Sequence, residues 1–194
     1  MNKQQLAPHE YGFPIRGDKE MSVEDTQKIR ERFIKISVKK NEVLLKEGEV
    51  AGSLYFILKG VVRTYYLTAH GSEKTRYIGF EGSFITGLAS FISRKPSFEW
   101  VDVLEDTELL VISHADFYAL TDEIEQLNKH YRYFIEQAYI HQNHKVESLV
   151  TQSARQRYEN LLKEKPHFIQ RLSNKVLASY LDVTPETLSR LKAK

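Results

Sequence analysis

The chain has 194 residues, 41% hydrophobic and 28% charged, with a formal net charge of +2, a composition that fits a folded globular protein and excludes disordered and fibrous classes. It contains no cysteine, which excludes disulfides, thiolate zinc sites, cysteine nucleophiles and cysteine-held iron–sulfur clusters. No apolar run approaches the roughly 20 residues of a membrane span, and the opening MNKQQLAPHEYGFPIRGDKEM lacks the apolar centre of a secretory signal, so a cytoplasmic protein with no membrane partner is expected.

The charge is uneven along the chain. Residues 151–194 carry nine Lys/Arg against four acids, a local net charge of +5, whereas residues 1–150 carry 19 basic and 22 acidic side chains. A mildly acidic body with a basic C-terminal unit favours a polyanionic partner for that unit over a merely solvated basic face.

From about Val38 to Ile112 the pattern is one of short strands. EVLLKEGEVAGSLYFILKGVVRTYYLTAHGSEKTRYIGFEGSF is rich in β-branched, leucine and aromatic residues, and Gly48, Gly60, Gly71 and Gly82 punctuate it roughly every dozen positions. This spacing predicts an antiparallel sandwich or roll whose glycines occupy turns with positive φ. WVDVLEDTELLVIS adds two closing strands around an acidic turn. A catalytic reading of Glu99 and Asp102 finds no support: there is no glycine-rich phosphate loop, nucleophile elbow or metal spacing, and Asp102 alternates with Val101 and Val103 as in an ordinary strand.

After SHADFYALTDE the period changes. Ile124, Leu127, Tyr131, Phe134, Ala138, His141, Lys145 and Leu149 recur at spacings of three and four, which predicts one long helix over 116–150. The stripe approximates a heptad seam and suggests a parallel homodimer, with the helix lying on its own body as the competing arrangement. His130, His141 and His144 lie on this helix without the carboxylate or further histidine that a metal ligand set needs, so no metal and no cofactor are expected.

SARQRYENLLKEKPHF continues as helix to about Lys165 and stops at Pro166. In LSNKVLASYLDVTPETLSRLKAK, Ser173 is placed to cap a helix over 174–181, with Val176, Leu177, Tyr180 and Leu181 apolar and Ala178 small where a second helix crosses. Asp182 suits a left-handed turn position, Val183 fills the angle, Thr184 caps the next helix and Pro185 occupies its first turn. This is a helix-turn-helix pattern. Its second helix buries Leu188 and Leu191 and presents Glu186, Thr187, Ser189, Arg190, Lys192 and Lys194, side chains suited to base edges and phosphates in a major groove.

Roll, long helix and terminal helix-turn-helix, in that order, resemble the Crp/Fnr family of bacterial transcription regulators over nearly all of residues 35–194. The resemblance rests on LLKEGEVAGSLYFILKGVVRTYYL for the cyclic-nucleotide-binding-type roll, GFEGSFITGLASF for its ligand cassette, DTELLVISHADFYAL for entry to the dimer helix, and LASYLDVTPETLSRLKAK for the DNA reader. It implies an α+β fold divided at 1–115, 116–150 and 151–194, and no enzymatic activity. It implies a homodimer on palindromic double-stranded DNA, with RNA polymerase as a further partner. Glu186 and Arg190 match the base-reading positions, Pro185 replaces a residue that is often basic, and Lys175, Thr184, Thr187, Ser189, Lys192 and Lys194 complete the expected interface. Leu127, Tyr131, Phe134, Ala138, His141, Lys145 and Leu149 form the expected dimer seam.

The chain departs from that pattern in the ligand cassette. Cyclic-AMP-binding members hold the ribose with a Glu in a GEL-like stretch and the phosphate with an Arg–Ser pair. Here the stretch reads TGL, with Gly87 for the Glu, and PSFEWV puts Ser97 and Phe98 at the pair, followed by Glu99. Loss of the Arg removes a bidentate phosphate clamp. The corresponding effector pocket comprises Phe84, Ile85, Thr86, Gly87, Leu88, Ser97, Phe98, Glu99 and, at an adenine-facing position of the dimer helix beside Ile140, His141. Cyclic AMP is therefore not the expected effector. PHFIQRL is too short for the longer hairpin wing of some members, so a reduced wing is expected, and fewer phosphate contacts are expected from so short a finish after the recognition helix. A small-molecule sensor or interaction module with a vestigial reader is the alternative.

Overall fold

The computed structural model describes residues 21–193; the opening twenty residues and Lys194 lie outside the described part. Ser22 caps the first helix, α1 (Val23–Arg32), by accepting a hydrogen bond from the Asp25 N–H at 2.9 Å, and acids in the first turn with Arg30 and Arg32 in the last match the helix dipole. Nothing in the apolar pattern signals this helix, since Ile29 is its one buried residue.

Eight strands follow: β1 (Ile34–Val38), β2 (Val43–Leu45), β3 (Ser53–Lys59), β4 (Val62–Leu67), β5 (Glu73–Gly79), β6 (Phe84–Ile85), β7 (Trp100–Val103) and β8 (Thr107–Ser113). They form two four-stranded sheets, ordered β1-β8-β3-β6 and β2-β7-β4-β5. The β1–β8, β3–β8, β3–β6 and β2–β7 pairings are antiparallel. This is the expected roll, closed by β7 and β8 around the acidic turn. Gly48, Gly60, Gly71 and Gly82 all adopt positive φ. Gly60 shows why: a Cβ there would lie 2.3 Å from Thr107 Oγ1 and 2.8 Å from Thr107 Cα. Ile57, Val61, Val62, Val101, Val103 and Leu109 are fully buried, each worth about 2 kcal/mol of apolar burial. A short helix, α2 (Leu88–Ser93), adds Phe91 to that core and ends on Arg94 in the left-handed conformation.

The helix expected over 116–150 is two helices. Ser113 caps α3 (His114–Glu123), and α4 (Glu125–Thr151) begins after Ile124, whose extended backbone (φ −112°, ψ 100°) ends α3 and whose side chain is buried. A capping box of Ser153 and Gln156 starts α5 (Ala154–Glu164). Pro166 does not simply stop that helix; it opens α6 (Pro166–Arg171) from its first turn, so the segment expected to hold a reduced wing is helical. α7 (Asn174–Leu181) and α8 (Pro185–Lys192) complete the described chain.

Contacts divide the chain into two compact units. Of the described residues, one comprises those up to Thr64 together with Ile78–Phe134; the other comprises Tyr65–Tyr77 together with those from Ile135 onward. The second has its own core in Tyr158, Leu161, Phe168, Leu172, Leu177, Leu181 and Leu188. Among the described residues, no helix is long and apolar enough to cross a membrane.

Candidate functional site

The C-terminal helix pair has the predicted geometry. Ser173 Oγ accepts from the Val176 N–H, and α7 ends where Asp182 turns left-handed at φ 54°. The Val183 N–H returns to Ala178 O at 3.0 Å, and Thr184 Oγ1 accepts from the Thr187 N–H to cap α8. Leu177, Ala178, Leu181 and Leu188 are buried between the helices, whereas Leu191, expected to be buried with Leu188, is only half-buried.

Thr184, Pro185, Glu186, Ser189, Arg190 and Lys192 are exposed and Thr187 is half-buried, so α8 offers a polar, mainly basic face. The Glu186 carboxyl is held below the usual carboxylate range by hydrogen bonds from its own N–H and from Thr184, with the Arg190 charge adding to them. Lys192 Nζ donates to Asn174 Oδ1 at 2.5 Å. Lys194 lies outside the described residues.

One feature of this unit has no local sequence signal. Segment 65–77, the turn of the β4–β5 hairpin, packs on α7. Ser179 Oγ donates to Glu73 O at 2.9 Å and accepts from the Thr75 N–H at 2.8 Å; Lys175 pairs with Glu73 at 2.6 Å, and Lys74 pairs with Asp182. Lys175, expected on DNA, is thus engaged by a carboxylate of its own chain.

In the first unit, Ser97 of the expected effector pocket lies beside Gly87. An added Cβ at Gly87 would meet Leu45 Cδ2 at 2.5 Å and Ser97 Oγ at 3.2 Å, so Leu45 fills the space a longer side chain would need. Ser97, buried, spends its hydroxyl within its own turn, donating to Glu99 O and accepting from the Glu99 N–H. Glu99 is buried and Phe98 is 79% exposed. Ile85 and Thr86 are buried, the Thr86 hydroxyl on Ser53 O; Leu88 is half-buried, and Phe84 packs on Phe56 and on Phe134 of α4.

Asp102 is not the ordinary strand residue its alternation suggested. It accepts two hydrogen bonds from buried Arg63, at 2.9 and 2.6 Å. A single arginine inside the apolar run VVRTYY was the available signal for this buried pair.

The expected dimer seam is largely covered by the chain itself. Leu127 is buried. The Tyr131 hydroxyl is 2.8 Å from that of Tyr118, and Phe134 meets Phe84 edge-on. His141 meets Tyr77 edge-on at 5.2 Å, and Lys145 Nζ donates to Tyr180 O and to Thr75 O while lying over the Tyr180 ring. Ala138 is half-buried; Leu149 is exposed. Periodicity identified an apolar face but not what covers it. A second face of α4 carries Tyr139, Val146 and Val150 at helical spacing, 68%, 49% and 79% exposed. His141 Nε2 and His130 Nε2 are buried without a hydrogen-bond partner; among the described residues, no group of His, Asp or Glu is arranged to hold a metal ion.

With this geometry in view, the class of the N-terminal unit follows. Residues 35–123 match the family model of the cyclic nucleotide-binding domain, and the chain carries a domain of that kind. Solved structures of similar fold include proteins described as regulators. FixK2 from Bradyrhizobium japonicum aligns with a TM-score of 0.73 and 19% identity over 83% of each chain. A putative transcriptional regulator of the Crp/Fnr family from Eubacterium rectale aligns with a TM-score of 0.70 and 21% identity over 88% of this chain and 82% of that one. CLP of Xanthomonas campestris, described as a c-di-GMP-responsive global regulator, aligns with a TM-score of 0.71 and 16% identity over 89% and 90%. At these identities the likeness is one of fold: the α+β architecture of Crp/Fnr-type regulators. A sequence search of curated proteins finds no match.

Proposed function

We propose that the chain is a sequence-specific, DNA-binding transcription regulator of the Crp/Fnr type, acting in the cytoplasm as a homodimer and without enzymatic activity. The observation that carries this reading is the helix-turn-helix of α7 and α8, with Glu186 and Arg190 exposed on the second helix above a fully buried Leu188. Arg190 suits bidentate pairing with guanine and Glu186 the cytosine amino group. Thr184, Thr187, Ser189, Lys192 and Lys194 serve phosphates, and RNA polymerase is the partner such a regulator would engage. Two copies would set their α8 helices into successive major grooves of a palindrome, roughly 34 Å apart. The exposed Tyr139, Val146 and Val150 face is the surface we assign to the partner helix.

Cyclic AMP is not the effector in this reading. Leu45 closes the space beside Gly87, the Ser97 hydroxyl is spent within its own turn, and Glu99 would bring negative charge towards a bound phosphate. A vestigial reader is the second possibility, favoured by the engagement of Lys175 with Glu73; it predicts that Arg190→Ala changes no activity.

Selection of bound fragments from a random duplex library, at two salt concentrations and with or without cyclic AMP, tests the proposal. A palindrome with half-sites one turn apart, unchanged by the nucleotide, is the expected result; failure to enrich any sequence overturns it. On that palindrome, Arg190→Ala should cost roughly 1–3 kcal/mol and relax one base position per half-site.

A further inference from the structure

Within the second unit, α4, α5 and α7 enclose a cleft of about 430 Å³ lined by His141, His144, Lys145, Arg157, Lys165 and Tyr180, with Glu147 and Glu164 as its carboxylates. The cations of this cleft hold neutral partners. Lys145 Nζ donates to the carbonyls of Thr75 and Tyr180; Arg157 donates to Leu181 O at 3.1 Å and Gln152 O at 2.7 Å; Lys165 Nζ donates to the Tyr180 hydroxyl at 3.3 Å. Among the described residues, none of the three forms an ion pair. Asp182 attracts Lys145 through space, but no carboxylate pairs directly with any of the three cations, and an anion in the cleft would complete the arrangement.

We infer that this cleft binds a small anion bearing a phosphate or carboxylate group, at a site separate from the cassette around Gly87. Lys145, Arg157 and Lys165 would take the charged oxygens, the partnerless Nε2 of His141 lies in the lining, and the volume suits a compact ligand of a few hundred Å³. The protonation behaviour agrees with the geometry. Burial pulls Lys145 down to about 8, and burial together with the charges of Lys165, Lys145, Arg76 and His144 pulls His141 down to about 4; a bound anion would reverse both tendencies. The inference does not depend on DNA binding.

Calorimetric titration of the full chain with inorganic pyrophosphate, at neutral pH and low salt, tests it. The comparison is between Lys165→Gln, Arg157→Gln/Lys165→Gln, and a charge-matched control, Lys40→Gln/Lys46→Gln, on exposed positions of the first unit. Saturable binding in the parent and control, weakened at least about tenfold in both cleft variants with unchanged circular dichroism, is expected. Lys165→Gln removes no backbone contact, so it reports even if the Arg157 variant misfolds. Absence of saturable binding in the parent overturns the inference, as does equal weakening in cleft and control variants. Loss of duplex DNA affinity in the cleft variants with pyrophosphate binding intact would reassign these cations to DNA phosphates and also overturn it.

Discussion

At single positions, the structure changes the meaning of residues whose type was plain in the sequence. Arg63 and Asp102 are each unremarkable in a strand, yet together they form a buried bidentate pair. Removing one partner strands the other charge out of water, so Arg63→Met should destabilise by about 3–5 kcal/mol, whereas Arg63→Met/Asp102→Leu should recover much of that loss; urea unfolding of the double-mutant cycle measures both. Gly87→Glu, which introduces the residue expected there in a cyclic-AMP-binding member of the Crp/Fnr family, should cost about 1–3 kcal/mol through collision with Leu45 and confer no cyclic AMP affinity by calorimetry. His141 gives a pH signature. Its pKa falls to about 4 in the folded chain, so the unfolded chain takes up the proton first as the pH drops below the ordinary histidine value of about 6.5. Stability should therefore be lost between about pH 6.5 and pH 4 and be insensitive to this group above that window. His141→Phe keeps an aromatic ring against Tyr77 and should flatten that part of the profile, by about 1–2 kcal/mol after allowance for partial solvent screening.

Among elements, legibility followed the range of the contacts. The α7–α8 pair was readable nearly position by position because its determinants are local: Ser173 and Thr184 as caps, Asp182 in the left-handed turn, Pro185 in a first turn. The strands and their glycine turns were readable for the same reason. By contrast, α1 carries too little buried apolar surface to show a period, and the break at Ile124 is hidden because a buried isoleucine continues the stripe while its backbone leaves the helix. Docking of segment 65–77 on α7 joins residues about a hundred positions apart, and no spacing rule reaches that far. Ser179→Ala tests its weight. It leaves the Thr75 N–H without its acceptor and should cost about 1–3 kcal/mol in unfolding experiments.

For the whole molecule, much of the apolar stripe read from the sequence as a dimer seam makes contacts within its own chain. Tyr131, Phe134, His141 and Lys145 are occupied within their own chain, and the open face is the one bearing Tyr139, Val146 and Val150. Tyr139→Glu/Val146→Glu should therefore shift sedimentation from dimer to monomer while leaving circular dichroism unchanged; Ala138→Glu, on the covered stripe, should instead lower thermal stability. The division of the chain also has a consequence in time. Segment 65–77 leaves the ribosome well before its partners, with the 102 residues from Ile78 to Ser179 still to be made, an interval of about 5–20 s at ordinary elongation rates. Until α7 emerges, the Thr75 amide and the Glu73 carbonyl wait in water. A gene fragment encoding only Ile135–Lys194 would never supply them, so this C-terminal unit cannot be transplanted between proteins as a contiguous cassette without carrying an exposed hairpin-binding surface with it.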